Sequence, residues 1–584
     1  MSAEKLRHNV HEVDFCVVGG GLAGVCAAVA AARHGLRVAL MQDRPVLGGN
    51  ASSEIRMWIW GARRDNNRET GLVEELLLEN RYRNPMRNYA LWDSILYEIV
   101  RYQEDITLLL NCSCNNATMV NGRIESITGW QTTTQMWQTV KAPLFADCSG
   151  DSILAPLTGA EFRVGREASN EFGESIAPAE ADRKTMGMSC LIQARQTDRP
   201  TPYIPPAWAN KYLTDDDLPY RKHDFSNCSW MWNNFWWIEL GGEQDSIHDT
   251  EEIRDELLKV AFGVWDHIKN HGDHGADNWI IDWVGFLPGK RESRRYVGDH
   301  LITENDIRAK GRFEDVVAYG GWPMDDHYPG GMNHSGRPSR IYITPSPWGI
   351  PYRALYSRNV DNLFFAGRNI SATHVAIGSS RVMATCGVIG QAVGTAASIA
   401  VKHGLSPRGV YQQEITELQK LLQEDDCFLP EKRREIAVLS RNAQLTASEG
   451  DPEPLRNGID RPVDEEDNGW TGALNGWVQY SFATRCPVHE VRLVFDSDLN
   501  RADTNMLAWY PLNNEPVGTP ATMMKAFRIE ALDADGNWSV VAHVEDNHQR
   551  LVTIHTDLET RAVRFIAEQT WGADQAHLFA FEVR

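Results

Sequence analysis

Apolar and polar positions alternate in different ways along the chain, and the changes divide it into regions. Over residues 10–165, short apolar runs that suit buried strands alternate with longer segments of helical spacing, which is typical of βαβ units. Residues 166–340 are rich in tryptophan, proline and charge, and 251–270 have apolar positions at helical spacing. Patterns of the first kind return over 341–425. We therefore expect an α/β domain in two parts, with an inserted α+β substrate domain between them.

Beyond residue 425 the pattern changes from α/β to β. Residues 426–465 are polar, acidic and rich in turn residues, so they predict a linker. Residues 466–584 contain short runs of alternating apolar and polar positions, with turn residues between them and no helical spacing. They predict a C-terminal antiparallel β-sandwich. The expected strands are GWVQYSFA, HEVRLVFD, AFRIEALD, WSVVAHVE, RLVTIHTD, RAVRFIAE and HLFAFEVR.

The composition restricts the partners and the compartment. The chain has 584 residues and a formal net charge of −21, which argues against binding to nucleic acid or to an anionic membrane surface. No run approaches the ~20 apolar residues of a membrane span, and the N-terminus lacks the apolar core of a secretory signal. Ten cysteines are scattered without CxxC pairs, which is typical of buried thiols in a reducing compartment. We expect a cytoplasmic protein with a small-molecule substrate, and leave a homo-oligomer open.

The sharpest signal lies near the N-terminus, in VDFCVVGGGLAGVCAAVAAARHGLRVALMQD. A buried strand runs into Gly19, Gly21 and Gly24, which have GxGxxG spacing, and a helix of small apolar residues and a second strand follow. The first glycine allows a tight turn, the second lets the backbone approach a pyrophosphate, and the third lets the helix pack against the strand. The helix N-terminus, at Leu22 and Ala23, then directs free N–H groups to the phosphates. The motif predicts a dinucleotide site.

The end of the second strand predicts a ribose contact. An acidic residue usually stands there, but by spacing the position is Gln42, followed by Asp43 and Arg44. A glutamine amide both donates and accepts hydrogen bonds, so Gln42 can still bind a ribose hydroxyl. We include all three residues in the predicted site.

The next motif distinguishes FAD from NAD. RPVLGGNASSEIR places Gly48 and Gly49 just past the second strand, and here the chain resembles the glutathione-reductase-like flavoproteins, in which such a pair lets the backbone pass the FAD. GGNASSEIRMWIWG and AGRNISATHVAIGSSRVMATCGVIGQAVGTAA together resemble the FAD-dependent oxidoreductase family, over about residues 13–400. The resemblance implies FAD in a Rossmann-type domain. Further cofactor contacts predicted in these stretches are Asn50, Ser53, Gly367, Arg368, Asn369 and Met383. Gly150 is predicted from FADCSGDSILAPLTGA, at 145–160, which resembles the strand and turn that close the nucleotide half in the superfamily.

Two features of the second stretch bear on the flavin. In relatives, an acid after Ala-Gly binds the ribityl chain, but Arg368 and Asn369 stand there, so we expect no carboxylate–ribityl contact. The long helix that begins near 381–384 is expected to direct its N-terminus to the flavin pyrimidine, where its dipole would stabilise negative charge on the reduced flavin. Since FAD carries the redox chemistry, the protein must supply orientation, a proton acceptor and exclusion of water.

The catalytic candidates are histidines and arginines near these motifs. Oxidation of an alcohol needs a base for the hydroxyl proton, and histidine suits this role because its pKa lies near neutrality. His374 follows the AGRN turn directly, so we expect it close to the isoalloxazine. Arg56, shortly after GGNASSE, would bind an anionic substrate or flavin group. For each candidate a structural role is the alternative. The further candidates are His327, His334, Arg291, Arg294 and Arg295.

Two segments point to carbohydrate. SWMWNNFWWIEL, at 229–240, places Trp230, Trp232 and Trp236 on one strand face; an exposed tryptophan would stack on a sugar, and core packing is the alternative. From about residue 445 the chain resembles the discoidin or galactose-binding-like jelly roll, in its WVQYSF strand and DADGNW hairpin. Such domains bind sugars or pack against a partner domain, and fold alone does not decide between these roles.

The preferred function is an FAD-dependent oxidoreductase that acts on a small polar substrate, such as the hydroxyl of a sugar or glycoside. The sugar rests on the tryptophans, the sandwich and the carbohydrate-degradation functions near which the resembling family often occurs. The alternatives are an FAD-assisted, net non-redox carbohydrate lyase and a carbohydrate-binding protein with a structural flavin. The chain has one GxGxxG in strand–helix context, so we expect an external electron acceptor. No metal site is predicted.

Overall fold

The computed structural model describes residues 6–224, 234–501 and 504–584. The chain divides into two compact units, each drawn from separate stretches of sequence. Unit 1 comprises Met1–Ala62, Met86–Leu418 and Thr504–Pro516, and unit 2 comprises Arg63–Pro85, Gln419–Asp503 and Val517–Arg584. The boundaries expected at 165 and 340 both fall inside unit 1, and they remain predictions.

Helices and strands are numbered separately in chain order. The helices are α1 Leu22–Arg33, α2 Leu72–Arg83, α3 Tyr89–Arg101, α4 Leu154–Thr158, α5 Ser169–Phe172, α6 Thr250–Asn270, α7 Glu304–Arg308, α8 His374–Ser380, α9 Met383–His403, α10 Pro407–Gln413, α11 Ile415–Glu424 and α12 Val438–Asn442. The strands up to the inserted region are β1 Arg7–Glu12, β2 Phe15–Val18, β3 Val38–Met41, β4 Ile106–Leu109, β5 Cys112–Val120, β6 Arg123–Gln131, β7 Met136–Lys141, β8 Leu144–Asp147 and β9 Phe162–Arg163. The next strands are β10 Met188–Ser189, β11 Ile192–Gln196, β12 Glu239–Leu240, β13 Trp279–Val284, β14 Gly289–Lys290, β15 Arg295–Tyr296, β16 Val316–Gly320, β17 Met324–His327, β18 Ser339–Tyr342, β19 Trp348–Pro351 and β20 Leu363–Phe365. The C-terminal strands are β21 Gln444–Ala447, β22 Trp470–Ala473, β23 Trp477–Phe495, β24 Met524–Leu532, β25 Trp538–Val544, β26 Leu551–Thr570 and β27 Gln575–Val583.

The centre of unit 1 is a five-stranded parallel sheet with the order β20-β8-β2-β3-β4. Strands β2 and β3 are buried along their whole length, which fits their continuous apolar sequences, FCVV and VALM. Parallel neighbours need a crossover, and α1 supplies it between β2 and β3. A second sheet, β1-β7-β6-β5, lies in the same unit. The parallel sheet and its helices confirm the predicted Rossmann-type organisation.

Helices α1 and α9 pack with their backbones in contact. A Cβ atom at Gly390 would lie 2.0 Å from the Ala23 carbonyl oxygen, and one at Gly394 would lie 2.2 Å from the Ala27 carbonyl oxygen. Glycine is therefore required at positions 390 and 394, where α9 meets the backbone of α1. Within the described residues α9 is the helix long and apolar enough to cross a membrane, and 94% of its most apolar window is buried inside the protein.

The inserted region folds into small antiparallel sheets beside α6. Among these are the three-stranded sheet β12-β10-β14 and the pairs β11–β13 and β17–β18. Helix α6 confirms the helix expected over 251–270, and its apolar side packs into a core that includes Phe235 and Trp237. Core packing is thus the role of these two aromatic residues, and Trp236 is half-buried. Trp230 and Trp232 lie outside the described residues.

Unit 2 is built on a seven-stranded antiparallel sheet with the order β22-β27-β23-β26-β24-β25, and β21 pairs with β23. The expected antiparallel β-structure is confirmed, but the expected strands merge. Strand β23 contains WVQYSFA and HEVRLVF, which are two of the expected strands less one end residue each, and β26 contains LVTIHTD and RAVRFIAE. Bulges between Ser481 and Cys486 and between Val488 and Glu490 absorb the irregular residues, so the β23–β26 ladder continues past them.

The linker expected over 426–465 requires a correction. It contains α12 and β21, and β21 joins the sheet antiparallel to β23. Leu445 is buried in the apolar core of unit 2, which gives this short polar stretch a reason to pair. The sequence indicated an irregular segment because a single buried residue in a strand of four is too short a pattern to recognise.

The contact between α1 and α9 yields a stability prediction. We expect Gly394→Ala to destabilise the protein by about 1–3 kcal/mol, because its methyl group would enter the space of the Ala27 carbonyl oxygen. Gly518→Ala is the matched control, since a Cβ at Gly518 would meet open space, and its effect should stay within about 0.5 kcal/mol. Urea unfolding followed by circular dichroism measures both. If Gly394→Ala were as stable as the wild type, α1 and α9 could move apart without a cost in free energy.

Candidate functional site

A cleft lies at the carboxyl end of the parallel sheet in unit 1. Its walls come from the turn after β2, the end of β3, the turn at Gly48–Asn50, strand β5, the turn after β8 and the start of α9. The space between the walls is ≈ 1530 Å³, part of it open to solvent. Ligands of doubly wound α/β proteins bind at this edge of the sheet, so the cleft is the candidate site.

The three motif glycines have different surroundings, as their spacing predicts. Gly19 has φ +102°, and a Cβ there would lie 2.5 Å from the backbone of Cys148. A Cβ on Gly24 would lie 1.8 Å from the Gly19 carbonyl oxygen, so only glycine lets α1 start this close to β2. Gly21 lines the cleft, and a Cβ there would meet protein only at Gly49 Cα, 3.9 Å away. The first and third glycines thus serve the fold, and the second leaves room for a ligand.

Gln42 lines the cleft but is already bonded within the protein. Its Oε1 accepts a hydrogen bond from the Gly20 N–H at 2.7 Å, and its Nε2 donates to the Val46 carbonyl at 3.2 Å. The side chain therefore holds the glycine turn in place. Its contact with a ribose, expected from spacing, stays a prediction. Asp43 and Arg44 line the cleft next to it, and Asp43 is exposed.

Most of the cofactor residues predicted from the sequence line this cleft. Three lie behind its wall: Gly24 contacts the Gly19 carbonyl, Ser53 donates its N–H to Asp93 Oδ1 at 3.1 Å, and Asn369 donates its amide to the Asp147 carbonyl at 3.3 Å. Residues that are adjacent in a motif can point in different directions, so the motif alone does not show which of them line the cleft. The lining residues are Gly19, Gly21, Leu22, Ala23, Gln42, Asp43, Arg44, Gly48, Gly49, Asn50, Gly150, Gly367, Arg368 and Met383.

Other wall residues were missed by the sequence reasoning. Cys112 and Cys114 are two positions apart in β5 and therefore face the same side of the strand, and burial raises the pKa of each thiol to about 12. Their CxC spacing was the available signal. In the inserted region the charge run KRESRR was the available signal for Lys290. No motif marked the wall residues Ile247, Thr250, Leu287 and Pro288.

Cations outnumber carboxylates along the cleft. Asp151 is bonded to Lys290, with 2.8 Å between Nζ and Oδ2, and to Arg368. Burial opposes ionisation of Asp151, but Arg368 and Lys290 hold its pKa well below its usual value. Arg368 therefore pairs with an acid, Asp151, that lies in the turn after β8. The excess positive charge suits a pyrophosphate and a reduced flavin. The charged wall residues are Arg44, Lys290, Arg294, Arg368, Arg381, Asp43 and Asp151.

The start of α9 faces the cleft, as the sequence predicts. The helix begins at Met383, and Arg381 and Met383 both line the cleft. Arg381 bonds Asp325 through Nη2 at 3.2 Å, while its Nε is buried and has no hydrogen-bond partner among the described residues. An unused donor beside a helix N-terminus favours an anion or a carbonyl at this position. These groups fit the pyrimidine end of a flavin, where negative charge develops on reduction.

His374 does not line the cleft. It begins α8 and is buried, with Nδ1 2.8 Å from Glu292 and Nε2 3.3 Å from Asp326. Burial by itself would lower the pKa of His374, but Glu292 and Asp326 raise it to about 9. The expectation of a base that titrates near neutrality is therefore wrong for the folded protein, because two carboxylates hold the imidazolium. Its catalytic role stays a prediction, now for an Asp326–His374–Glu292 array.

His327 lies in a second array of the same kind. Its Nδ1 is 2.6 Å from Glu239 and its Nε2 is 3.0 Å from Asp325. Burial lowers the pKa of His327, but Glu239 and Asp325 raise it above its usual value. Arg381 contacts Asp325 and also lines the cleft, so this array reaches the wall through one side chain.

The remaining candidates are dispersed. Arg294 lines the cleft, whereas Arg56 lies between the rings of Tyr89 and Trp283, at 4.9 and 4.6 Å, and does not line it. His334 stacks on Tyr328 at 3.8 Å and does not line it either. Arg291 and Arg295 are buried in ion pairs, Arg291 with Glu239 and Arg295 with Glu167. The side chains of a charge run point in different directions, and the sequence does not show which ones. Of the arginines in KRESRR, Arg294 lines the cleft and the other two are buried in ion pairs.

One protein-family model and several curated proteins are similar to this chain. The family model described as "FAD dependent oxidoreductase" matches residues 14–422. Glycerol-3-phosphate dehydrogenase of Mycobacterium leprae is 38% identical over 73 residues, 12% of each chain, and glycerol-3-phosphate dehydrogenase 2 of Mycobacterium bovis matches to the same extent. The chain therefore spans about an eighth of the length of these curated relatives.

Solved structures give looser likenesses. The family 32 carbohydrate-binding module from Streptococcus pneumoniae EndoD is 16% identical, covers 25% of this chain and 97% of its own, and has a TM-score of 0.20. A geranylgeranyl bacteriochlorophyll reductase-like protein from Thermoplasma acidophilum is 12% identical, covers 71% of this chain and 84% of its own, and has a TM-score of 0.32. Neither likeness identifies a ligand.

The surroundings of Gly21 give a prediction for cofactor binding. Gly21→Ala places a methyl group in the cleft without a close protein contact, so we expect FAD affinity to fall about 10–100-fold while the far-ultraviolet circular dichroism is unchanged. Equilibrium titration of the apoprotein with FAD measures the affinity. Gly518→Ala, whose added methyl group would meet no atom within 4 Å, should bind FAD as the wild type does. Unaltered affinity in Gly21→Ala would contradict a pyrophosphate at this turn.

The His374 array gives a pH prediction. A raised pKa means that the folded protein holds the proton more tightly, so the stability it contributes is complete below about pH 6.5 and is lost as the pH rises through about 9. The stability difference between wild type and His374→Gln should therefore be on the order of 3 kcal/mol near pH 6 and should shrink towards pH 10. Urea unfolding at a series of pH values measures it. A stability difference between wild type and His374→Gln that stays constant with pH would refute the charged state of His374. The control is His248→Gln, which changes an exposed histidine.

Proposed function

The chain belongs to the FAD-dependent oxidoreductase family, whose model matches residues 14–422, and from this premise we propose that it oxidises a hydroxyl group of a small sugar, glycoside or polyol. The observation that carries the proposal is the cleft in which the glycine turn, the Gly48–Gly49 pair, Gly367 and the start of α9 meet. Each of these elements suits one part of FAD, from the pyrophosphate to the flavin ring. Bound FAD supplies the hydride acceptor, and the chain must then bind the substrate, exclude water and take up a proton.

A polar substrate has room beside the cofactor wall. Ile247, Thr250, Leu287 and Pro288, all from the inserted region, line the same cleft. Apolar groups here exclude water, and the Thr250 hydroxyl, which donates its proton to the Ile247 carbonyl, can accept a hydrogen bond from a substrate hydroxyl. We propose that these residues contact the substrate. Trp236, half-buried with its ring 5.5 Å from that of His327, stays the candidate for stacking on a sugar.

The Asp326–His374–Glu292 array is the proposed acceptor of the hydroxyl proton. Its carboxylates carry two negative charges against one imidazolium, so the array can take one proton and become neutral. Asp326 is 29% exposed, whereas Glu292 is fully buried, so Asp326 is the solvent-exposed end of the array. It is not among the residues that line the cleft, so the proposal requires the substrate hydroxyl to extend from the cleft to Asp326. His374 then acts as a positioning residue that orients Asp326 and stabilises its charge. A base of this kind contributes about 10²–10⁴-fold to the rate.

The substrate class has support from outside the cleft. The curated relatives are named for a dehydrogenase of glycerol 3-phosphate, which is a small hydroxylated compound, although the match is short. A phosphate or carboxylate on the substrate would suit the cations of the wall, such as Arg294. The described cysteines form no disulfide, which favours a reducing cytoplasm, and we propose an external electron acceptor.

Anaerobic absorption spectroscopy tests the proposal. The purified holoprotein is mixed with sugars, glycosides, polyols and glycerol 3-phosphate, and the flavin band near ~450 nm is followed. We expect one class to bleach the band and to be recovered as a carbonyl product. Product formed without net bleaching would favour the alternative, a non-redox lyase that oxidises its substrate transiently. A flavin that no member of the panel reduces would contradict the proposed substrate class.

The proton acceptor has its own variant. Asp326→Asn should slow flavin reduction by about 10²–10⁴-fold at unchanged flavin content, because the amide cannot accept the proton. Asp255→Asn, an exposed aspartate on α6 that pairs with Arg254, is the matched control and should reduce at the wild-type rate. Stopped-flow measurement of the reductive half-reaction compares them. A wild-type rate in Asp326→Asn would exclude Asp326 as the acceptor.

A further inference from the structure

Three histidines and an aspartate converge in the inserted region. His267 lies in the last turn of α6, His274 follows in the next loop, and Asp215 and His223 come from the preceding segment. The three histidines are buried, whereas the Asp215 side chain is 73% exposed. One potential ligand atom from each residue lies within 4.8 Å of all the others. None of the four lines the cleft of the candidate FAD site, as far as the described residues show.

The hydrogen bonds of two histidines leave their Nε2 lone pairs facing one another. His267 Nδ1 is 3.0 Å from the Tyr212 carbonyl oxygen, and His223 Nδ1 is 2.7 Å from the Arg221 carbonyl oxygen. A carbonyl only accepts, so each Nδ1 donates, and each neutral ring then has a bare Nε2. These Nε2 atoms are 3.2 Å apart. Two acceptors at this distance repel unless a cation lies between them.

His274 adds a third buried ring nitrogen to the cluster. Its Nε2 is buried and has no hydrogen-bond partner among the described residues. The nitrogen is 3.5 Å from Asp215 Oδ1, the atom that lies 3.2 Å from His267 Nε2 and 3.6 Å from His223 Nε2. Gly272 makes room for this ring, since a Cβ there would lie 2.4 Å from His274 Nε2. A buried, unpaired ring nitrogen is costly, and a bound ligand removes that cost.

We propose that Asp215, His223, His267 and His274 bind a zinc ion. Zinc takes four ligands in a tetrahedron at about 2.0–2.1 Å, which separates neighbouring ligand atoms by about 3.3 Å. Four of the separations here, between 3.2 and 3.6 Å, match this value. Backbone carbonyls that bind the Nδ1 atoms of ligand histidines are the usual outer support of a zinc site. Imidazole and carboxylate together suit zinc better than magnesium or calcium.

The position of the site indicates a structural role. The zinc ion would link the segment 212–223 to the end of α6 and to the loop that follows it. Helix α6 forms one side of the core of the inserted region. Zinc binding would therefore stabilise this region against unfolding, and it requires neither FAD nor substrate. Failure of the proposed oxidation would leave it unaffected.

Metal analysis of the full-length protein tests the site. The protein is treated with a chelator, exchanged into metal-free buffer and titrated with zinc chloride in competition with a chromophoric chelator. We expect one tightly bound zinc ion per chain and a rise in melting temperature on binding. Cobalt(II) should occupy the same site and show the intense visible absorption of a tetrahedral centre, at longer wavelength than the flavin. A protein that takes up neither ion would overturn the proposal.

Variants locate the ion. His274→Gln and His267→Gln should abolish stoichiometric binding, and Asp215→Asn, an exposed change that the fold tolerates, should weaken it at least about tenfold. His248→Gln changes an exposed histidine bonded to Asp245, so it should bind zinc as the wild type does. Flavin content shows that each variant is folded. If a buried variant does not fold, Asp215→Asn and the wild-type zinc titration decide. Unchanged affinity in Asp215→Asn and His274→Gln would refute this site.

Discussion

Backbone contact between α1, α9 and the turn after β2 is the constraint on which unit 1 depends. Gly24 meets the Gly19 carbonyl, and Gly390 and Gly394 meet carbonyls of α1, at distances that no side chain fits. The contact brings the N-termini of both helices to one cleft. Since a helix N-terminus carries free N–H groups and partial positive charge, the same packing that stabilises the fold creates the cofactor site.

Charge is the second determinant of the site. Buried ions are costly unless they are paired, and the structure pairs them in arrays: Asp151 with Lys290 and Arg368, His374 with Glu292 and Asp326, His327 with Glu239 and Asp325. The first array leaves the cleft positive, as a dinucleotide requires. The other two place an imidazole ring between two carboxylates, which raise the pKa of His374 and of His327 above the usual value although burial opposes this. Among the described residues, the rings of His223, His267 and His274 have one exposed carboxylate, Asp215, within ion-pairing distance of all three, and that difference is why we assign the cluster to a metal.

Sequence reasoning succeeded where a local pattern has one physical meaning. Gly19, Gly21 and Gly24 between a buried strand and a small-residue helix admit few interpretations, and the parallel sheet and α1 follow from them. Sequence reasoning failed where the structure of a segment depends on another segment that is distant in sequence. Leu445 lies in a polar stretch and becomes a strand residue only because β23 offers a free edge, and bulges allow β23 and β26 to continue through residues that read as turns.

The sequence by itself determined the Rossmann-type domain, the small-residue helices and the FAD family, and most of the cofactor residues that it predicts do line the cleft, because these follow from spacing within about thirty residues. Only the tertiary structure decided which charged residues meet. His374 is separated from Glu292 by 82 positions and Arg368 from Asp151 by 217, and no local pattern relates them. The protonation of His374, the carboxylate beside Arg368 and the convergence of His223, His267 and His274 all arise from such long-range contacts. Packing sets the distances on which electrostatic energies depend, and the sequence does not encode those distances locally.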